Sequence, residues 1–160
     1  MKHLKLTLFI LAASVSGVWA QSVDTVAVWS QSMKKNVKNV VITPANYKTA
    51  KNERFPVVYL LHGAGGNYSN WIKKTPFLPE LASRYGMIIV CPDGNTHSWY
   101  WDSPVDTTSR YETYVSKELR EFIDKTYRTV DSREGRAITG LSMGGQGALF
   151  LAFRHLDLYG

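Results

Sequence analysis

Apolar and polar residues alternate from Val23 to Met33 and again from Val37 to Ile42, with Lys34-Lys35-Asn36 between the two runs. A period of two sends successive side chains to opposite faces, so the pair predicts two antiparallel strands. Pro44 ends the second, and Ala45 to Arg54 reads as a polar loop carrying Tyr47. The pattern then changes. Phe55 to Leu61 and Met87 to Cys91 are unbroken apolar runs rich in β-branched residues, as in strands covered on both faces. Between them Phe77, Leu78, Leu81, Ala82 and Tyr85 fall at helical spacing and predict a helix over 71–85, with Pro79 near its start. A second stripe, from Tyr111 through Tyr114, Val115, Leu119, Phe122 and Ile123 to Tyr127, predicts another helix. Arg136 to Thr139 predicts a last strand and Gln146 to Arg154 a last helix.

Two strands followed by strand, helix, strand, helix, strand, helix define an α/β class. The expected sheet is mostly parallel with an antiparallel edge, and helices cover both of its faces. Composition fits one domain: 160 residues, 44% hydrophobic and 20% charged. Met1 to Ala20 stands apart, with Lys2 and Lys5 ahead of an apolar run and Val18-Trp19-Ala20 at its end. This predicts a signal peptide cleaved after Ala20, hence a secreted or periplasmic protein. The run is shorter than the roughly 20 apolar residues a bilayer span requires, so no membrane partner is expected after cleavage. The net charge of +6 includes Lys2 and Lys5, and the other basic residues are scattered without a run of five. A solvated surface explains that scatter, and no nucleic-acid partner is expected. Cys91, the single cysteine, has no partner within the chain and ends an apolar run; it reads as a buried small hydrophobe.

The candidate chemistry lies in three turns that come after the predicted parallel strands, where ligands of such sheets collect. They are His62-Gly63-Ala64-Gly65-Gly66-Asn67, the segment from Pro92 to Asp102, and Gly140-Leu141-Ser142-Met143-Gly144-Gly145. The last has the form of a nucleophile elbow, in which a serine sits on a strained turn between strand and helix and flanking glycines let the two approach. Ser142 is therefore the candidate nucleophile. Attack on an acyl carbon builds an oxyanion that needs preorganised donors; the Met143 N–H at the helix start is one and the Ala64 N–H the other. Trp99, Tyr100 and Trp101, in a loop without periodicity, are candidates for lining an acyl or sugar site, although aromatic residues there equally cover a core. Neither a metal nor a cofactor is called for.

Together Leu60 to Gly66, Pro92-Asp93-Gly94, Ser98-Trp99-Tyr100, the helix from Tyr111 to Tyr127 and the Ser142 elbow resemble the esterase D and feruloyl esterase family of α/β-hydrolases. The resemblance covers about Val37 to Gly160 and implies a serine carboxylesterase. Exported members act on acyl or feruloyl groups of plant polysaccharides, which implies a small or polysaccharide-linked ester as partner.

One departure qualifies it. The triad of this fold runs serine, acid, histidine along the chain, and only His155 and Asp157 come after Ser142, at the far end of its helix. His62 reads as a turn residue and His97 as a loop residue. The expectation is that residues 21–160 form the N-terminal portion of one esterase domain, truncated after the elbow helix, without the acid and base that activate Ser142 and inactive alone. A carbohydrate-binding protein without catalysis and an acyltransferase of the same family are the alternatives.

Overall fold

The computed structural model describes residues 21–160, and the predicted signal peptide lies outside them. Strands β1 (Ser22–Ser30) and β2 (Lys35–Thr43) pair antiparallel with Val28 opposite Val37. β1 stops short of the predicted Met33 because the Glu118 carboxylate accepts the Ser30 hydroxyl at 2.5 Å and the Ser32 N–H at 2.7 Å, closing the turn there. β2 pairs on its other side with β4 (Ile88–Pro92), also antiparallel, and β4 pairs in parallel with β3 (Val57–Leu61). β5 (Arg136–Gly140) lies parallel to β3, so the order is β1-β2-β4-β3-β5. This is the mostly parallel sheet with an antiparallel edge that the apolar runs predict. β4 is buried at every position, Ile88 through Pro92, as the unbroken apolar run there requires.

Helices cover both faces. On one side Tyr59, Leu61, Ile88 and Val90 pack against Tyr114, Leu119, Ile123, Met143 and Leu151. On the other Val40, Ile42, Ile89 and Cys91 meet Leu78, Ala82 and Trp71. Each fully buried large side chain contributes about 1.5–3 kcal/mol of transfer free energy, so these two layers carry the fold.

The helix predicted over 71–85 is two helices, α1 (Asn70–Lys74) and α2 (Leu78–Arg84). Pro76 is the reason. It has no N–H for the helical ladder and drives the preceding Thr75 to φ −130° and ψ 71°, outside the helical region. Pro79 then sits in the first turn of α2. The next helix runs over 111–126, with α-helical ends α3 (Tyr111–Thr113) and α4 (Arg120–Thr126) and a π-helical middle, Tyr114–Leu119. The wider turn keeps Tyr114, Val115 and Ser116 all buried. The last helix, α5 (Met143–Arg154), begins three residues earlier than predicted, so Gly144 and Gly145 lie within it.

Candidate active site

Ser142 stands between β5 and α5 with φ 55° and ψ −118°, a conformation that costs a residue with a Cβ about 1–3 kcal/mol. Three hydrogen bonds hold it: Leu141 N–H donates to Leu61 O at 3.3 Å, Gly144 N–H to Leu141 O at 2.9 Å, and Gln146 N–H to Ser142 O at 3.0 Å. The glycines are required by contact. A Cβ on Gly140 would lie 2.5 Å from Gly144 C, and one on Gly144 would lie 2.6 Å from His62 O, so β3, β5 and α5 meet backbone to backbone. The strained turn lifts the Ser142 side chain out of that packing, and the residue is exposed.

It opens into a cavity of about 310 Å³ whose walls include His62, Gly63, Ala64, Asn70, Trp71 and Lys74. Ala64 and Ser142 thus line the same cavity. The amides around it have partners: Gly65 N–H donates to Thr96 O at 2.8 Å and Gly66 N–H to Gly63 O at 3.1 Å. Among the described residues the Ala64 and Met143 N–H groups enter none of the turn and loop hydrogen bonds. Met143 is buried as a side chain, and its amide is the first of the 12-residue α5, where unpaired N–H groups and the helix dipole give partial positive charge. An exposed Ser142, two nearby amides without turn or loop partners and an open cavity are what addition to an acyl carbon needs.

His62 is locked in the cavity wall and almost fully buried. Its Nε2 accepts the Gly94 N–H at 2.9 Å, which puts the ring hydrogen on Nδ1, donated to Gly63 O at 2.8 Å. Asp93 Oδ1 lies farther from Nε2, at 3.9 Å, and accepts the Asn95 N–H instead. With both ring nitrogens engaged, His62 shapes the turn and has no free ring nitrogen to offer Ser142 as a base. His155 lies at the opposite end of α5, about 20 Å from Ser142 by helical rise, with Nε2 3.1 Å from Glu112 Oε1.

The aromatic loop is divided. Tyr100 is 0% exposed, so the expectation that it lines a ligand site is corrected. Its hydroxyl accepts the His62 N–H at 3.0 Å and donates to His62 O at 3.2 Å, and burial keeps its pKa far above the usual tyrosine value. Trp99 and Trp101 are 43% and 47% exposed, but they line a separate hollow of about 290 Å³ together with His97 and Asp106. The Ser142 cavity takes its aromatic wall from Trp71 instead, whose Nε1–H donates to Leu61 O at 3.0 Å. Trp71 and Lys74 escape a reading by periodicity because they fall inside one apparent core helix, with Asn70 just ahead of it; Pro76, which cuts that helix, is the signal. Cys91 is buried, and desolvation pushes its thiol up to about 12, as suits a small core residue.

The sequence profile of the family described as "Putative esterase" matches residues 30–160. An acetyl esterase of Caldicellulosiruptor saccharolyticus is 33% identical over 127 residues, 76% of this chain and 47% of that protein. An endo-1,4-beta-xylanase/feruloyl esterase of Xylanibacter ruminicola is 30% identical over 149 residues, 87% of this chain and 20% of that protein. A solved ferulic acid esterase superposes with a TM-score of 0.79 at 30% identity, covering 88% of this chain and 56% of that one. The chain spans about half the length of the acetyl esterase and of the solved ferulic acid esterase. With the profile matched from the end of β1 through the Ser142 elbow to the last residue, the chain belongs to this esterase family of the α/β-hydrolase fold.

Proposed function

We propose that the chain carries the nucleophile and oxyanion half of an exported serine carboxylic ester hydrolase that releases acyl or feruloyl groups from carbohydrate esters. The observation that carries this reading is Ser142 at φ 55°, exposed at the head of α5 over a cavity walled by Ala64. Ser142 Oγ adds to the ester carbonyl carbon, and the carbonyl oxygen takes up the electron pair between the Ala64 and Met143 N–H groups. Collapse expels the alcohol and leaves an acyl-enzyme. Water then adds to the acyl carbon and returns the free acid and Ser142.

The proton of Ser142 must pass to a base. Since His62 is locked, His155 is a helix length away and His97 lines the other hollow, the base and its acid partner are assigned to residues outside this sequence. The choice of acyl group comes from the acetyl esterase and xylanase/feruloyl esterase relatives, and export from the charged and apolar pattern of residues 1–20. Acyl transfer to an alcohol shares the first half-reaction, and product analysis in the presence of a sugar acceptor separates the two.

A fluorophosphonate probe tests the reading: the full-length protein is expected to be labelled, and Ser142→Ala to be silent. Labelling that persists in Ser142→Ala removes Ser142 from the chemistry. Binding of xylan fragments to Ser142→Ala, lost in Trp101→Ala and without any esterase activity in the parent, favours the carbohydrate-binding alternative that the exposed Trp99 and Trp101 support.

A further inference from the structure

Tyr100 ties together the three turns that meet at Ser142, and it does so at a conformational cost. Trp99 and Tyr100 have φ of 55° and 60°, two successive left-handed residues that both carry large side chains. Backbone strain of this kind persists only where surrounding contacts impose it. The contacts are on every side. The Tyr100 ring lies so close to Gly94, in the turn after β4, that a Cβ there would come 2.7 Å from its hydroxyl oxygen. Against α5, a Cβ on Gly147 would lie 2.5 Å from Tyr100 Cδ2 and 2.9 Å from Cγ. The ring is therefore gripped between two bare backbones. From that seat its hydroxyl reaches the turn after β3 and binds both main-chain groups of one residue, the N–H and C=O of His62.

His62 leads directly into the oxyanion loop. The Cβ position of Gly63 is 3.2 Å from Leu141 O and 3.5 Å from Ser142 Cβ, so this peptide abuts the elbow itself, and Ala64 comes next in the chain. His62 supports the same turn from the side-chain direction, through Gly94 N–H and Gly63 O. Ser98 secures the seat of Tyr100: its hydroxyl accepts the Tyr100 N–H at 3.0 Å and donates to Gly94 O.

We propose that Tyr100 is a positioning residue for the oxyanion site, its hydroxyl setting the His62 peptide and through it the Ala64 N–H at a fixed place relative to Ser142 and Met143. The inference rests on the esterase reading above and adds to it a residue that touches neither substrate nor nucleophile. Because both groups of His62 are buried, losing the hydroxyl leaves a donor and an acceptor without partners, and the peptide can regain partners only by moving. Donors aimed at a developing oxyanion lose their effect when they move by fractions of an ångström. Ground-state binding in the open cavity depends much less on that placement. Tyr100 keeps its proton throughout the working pH range because burial holds its pKa high, so the hydroxyl both donates and accepts.

The test uses the full-length protein and Tyr100→Phe, with kcat and KM for p-nitrophenyl acetate, inhibition by an arylboronic acid as a tetrahedral oxyanion mimic, and fluorophosphonate labelling of Ser142. The expected result is a kcat lower by about 10- to 100-fold, a KM within about threefold, and boronate affinity falling in step with kcat. A purely structural tyrosine would lower the thermal midpoint and leave kcat and boronate affinity unchanged well below it; that result overturns the proposal. Ser98→Ala removes a small, half-buried side chain and so gives a folded variant if Tyr100→Phe does not. It is expected to lower kcat and boronate affinity together by about three- to tenfold, and unchanged values for both overturn the proposal as well. A wild-type protein that fluorophosphonate fails to label overturns the esterase reading and this inference together, whereas a labelled wild type with an unaltered Tyr100→Phe overturns the inference alone.

Discussion

Gly144 and Gly145 are adjacent, identical in kind and both in the first turn of α5, yet the structure sets opposite expectations for replacing them by alanine. A Cβ on Gly144 meets backbone only: Leu61 O, Leu61 C at 2.6 Å and His62 O at 2.6 Å. Ordinary van der Waals contact begins near 3.4 Å, so the head of α5 must move off β3 by about 1 Å to clear Leu61 O. Overpacking of this kind costs about 1–3 kcal/mol, against a gain of roughly 0.5–1 kcal/mol for alanine over glycine in a helix, leaving a net loss of about 1–2 kcal/mol. The same movement carries Ser142 and the Met143 N–H away from the loop of His62 and Ala64. A displacement near 1 Å in a reacting constellation lowers rates by up to about 100-fold. A Cβ on Gly145 would lie 3.3 Å from Gly140 O and 3.8 Å from Gly140 C, so a shift of about 0.1 Å relieves it and the helix propensity gain offsets the rest. Urea denaturation and the second-order rate of fluorophosphonate labelling measure both effects. Gly144→Ala is expected to unfold at lower urea and label at least about tenfold more slowly, and Gly145→Ala to stay within about 0.5 kcal/mol and twofold of wild type. Equal stability and equal labelling rates for the two variants would refute the close-approach argument.

Trp71→Ala should raise KM for an aromatic ester by about three- to tenfold, because Trp71 walls the Ser142 cavity, while Trp101→Ala, in the separate hollow, leaves p-nitrophenyl acetate hydrolysis within about twofold. Asp124→Ala leaves the buried Arg136 guanidinium without the carboxylate 2.9 Å from its Nη2, and urea unfolding should show a loss of about 3–5 kcal/mol, much of it recovered in the double variant with Arg136→Met. The Cys91 thiol, held near 12 by burial, is about four pH units from ionising at pH 8; a disulfide reagent should modify it at least about 1,000-fold more slowly in the native protein than in urea. Its folded pKa lies above the unfolded one, so its contribution to stability is complete below about pH 8 and fades as pH rises toward 12.

Much of this architecture is legible in local pattern. Alternation marks β1 and β2, unbroken apolar runs mark β3 and β4, and glycines around Ser142 mark the elbow, because each of these signals lies within a few neighbouring residues. The breaks are less legible. Pro76 splits the helix that periodicity predicts over 71–85, and proline geometry overrides periodicity there. The π-helical middle of the helix over 111–126 has no counterpart in a pattern read at 3.6 residues per turn.

The aromatic loop separates the two kinds of information most clearly. Trp99, Tyr100 and Trp101 are equivalent as a string of rings, and nothing local says which one turns inward. Residue order is enough for the α/β class, the succession of strands along the chain and the identity of the candidate nucleophile, since these depend on hydrophobic period and on glycine spacing. It took the folded chain to show that Tyr100 supports the oxyanion loop, that Trp71 and not Trp101 walls the Ser142 cavity, and that Gly144 and Gly145 differ. Those outcomes depend on contacts between segments tens of residues apart, at distances where a single Cβ or hydroxyl is the deciding volume, and no window along the chain contains both sides of such a contact.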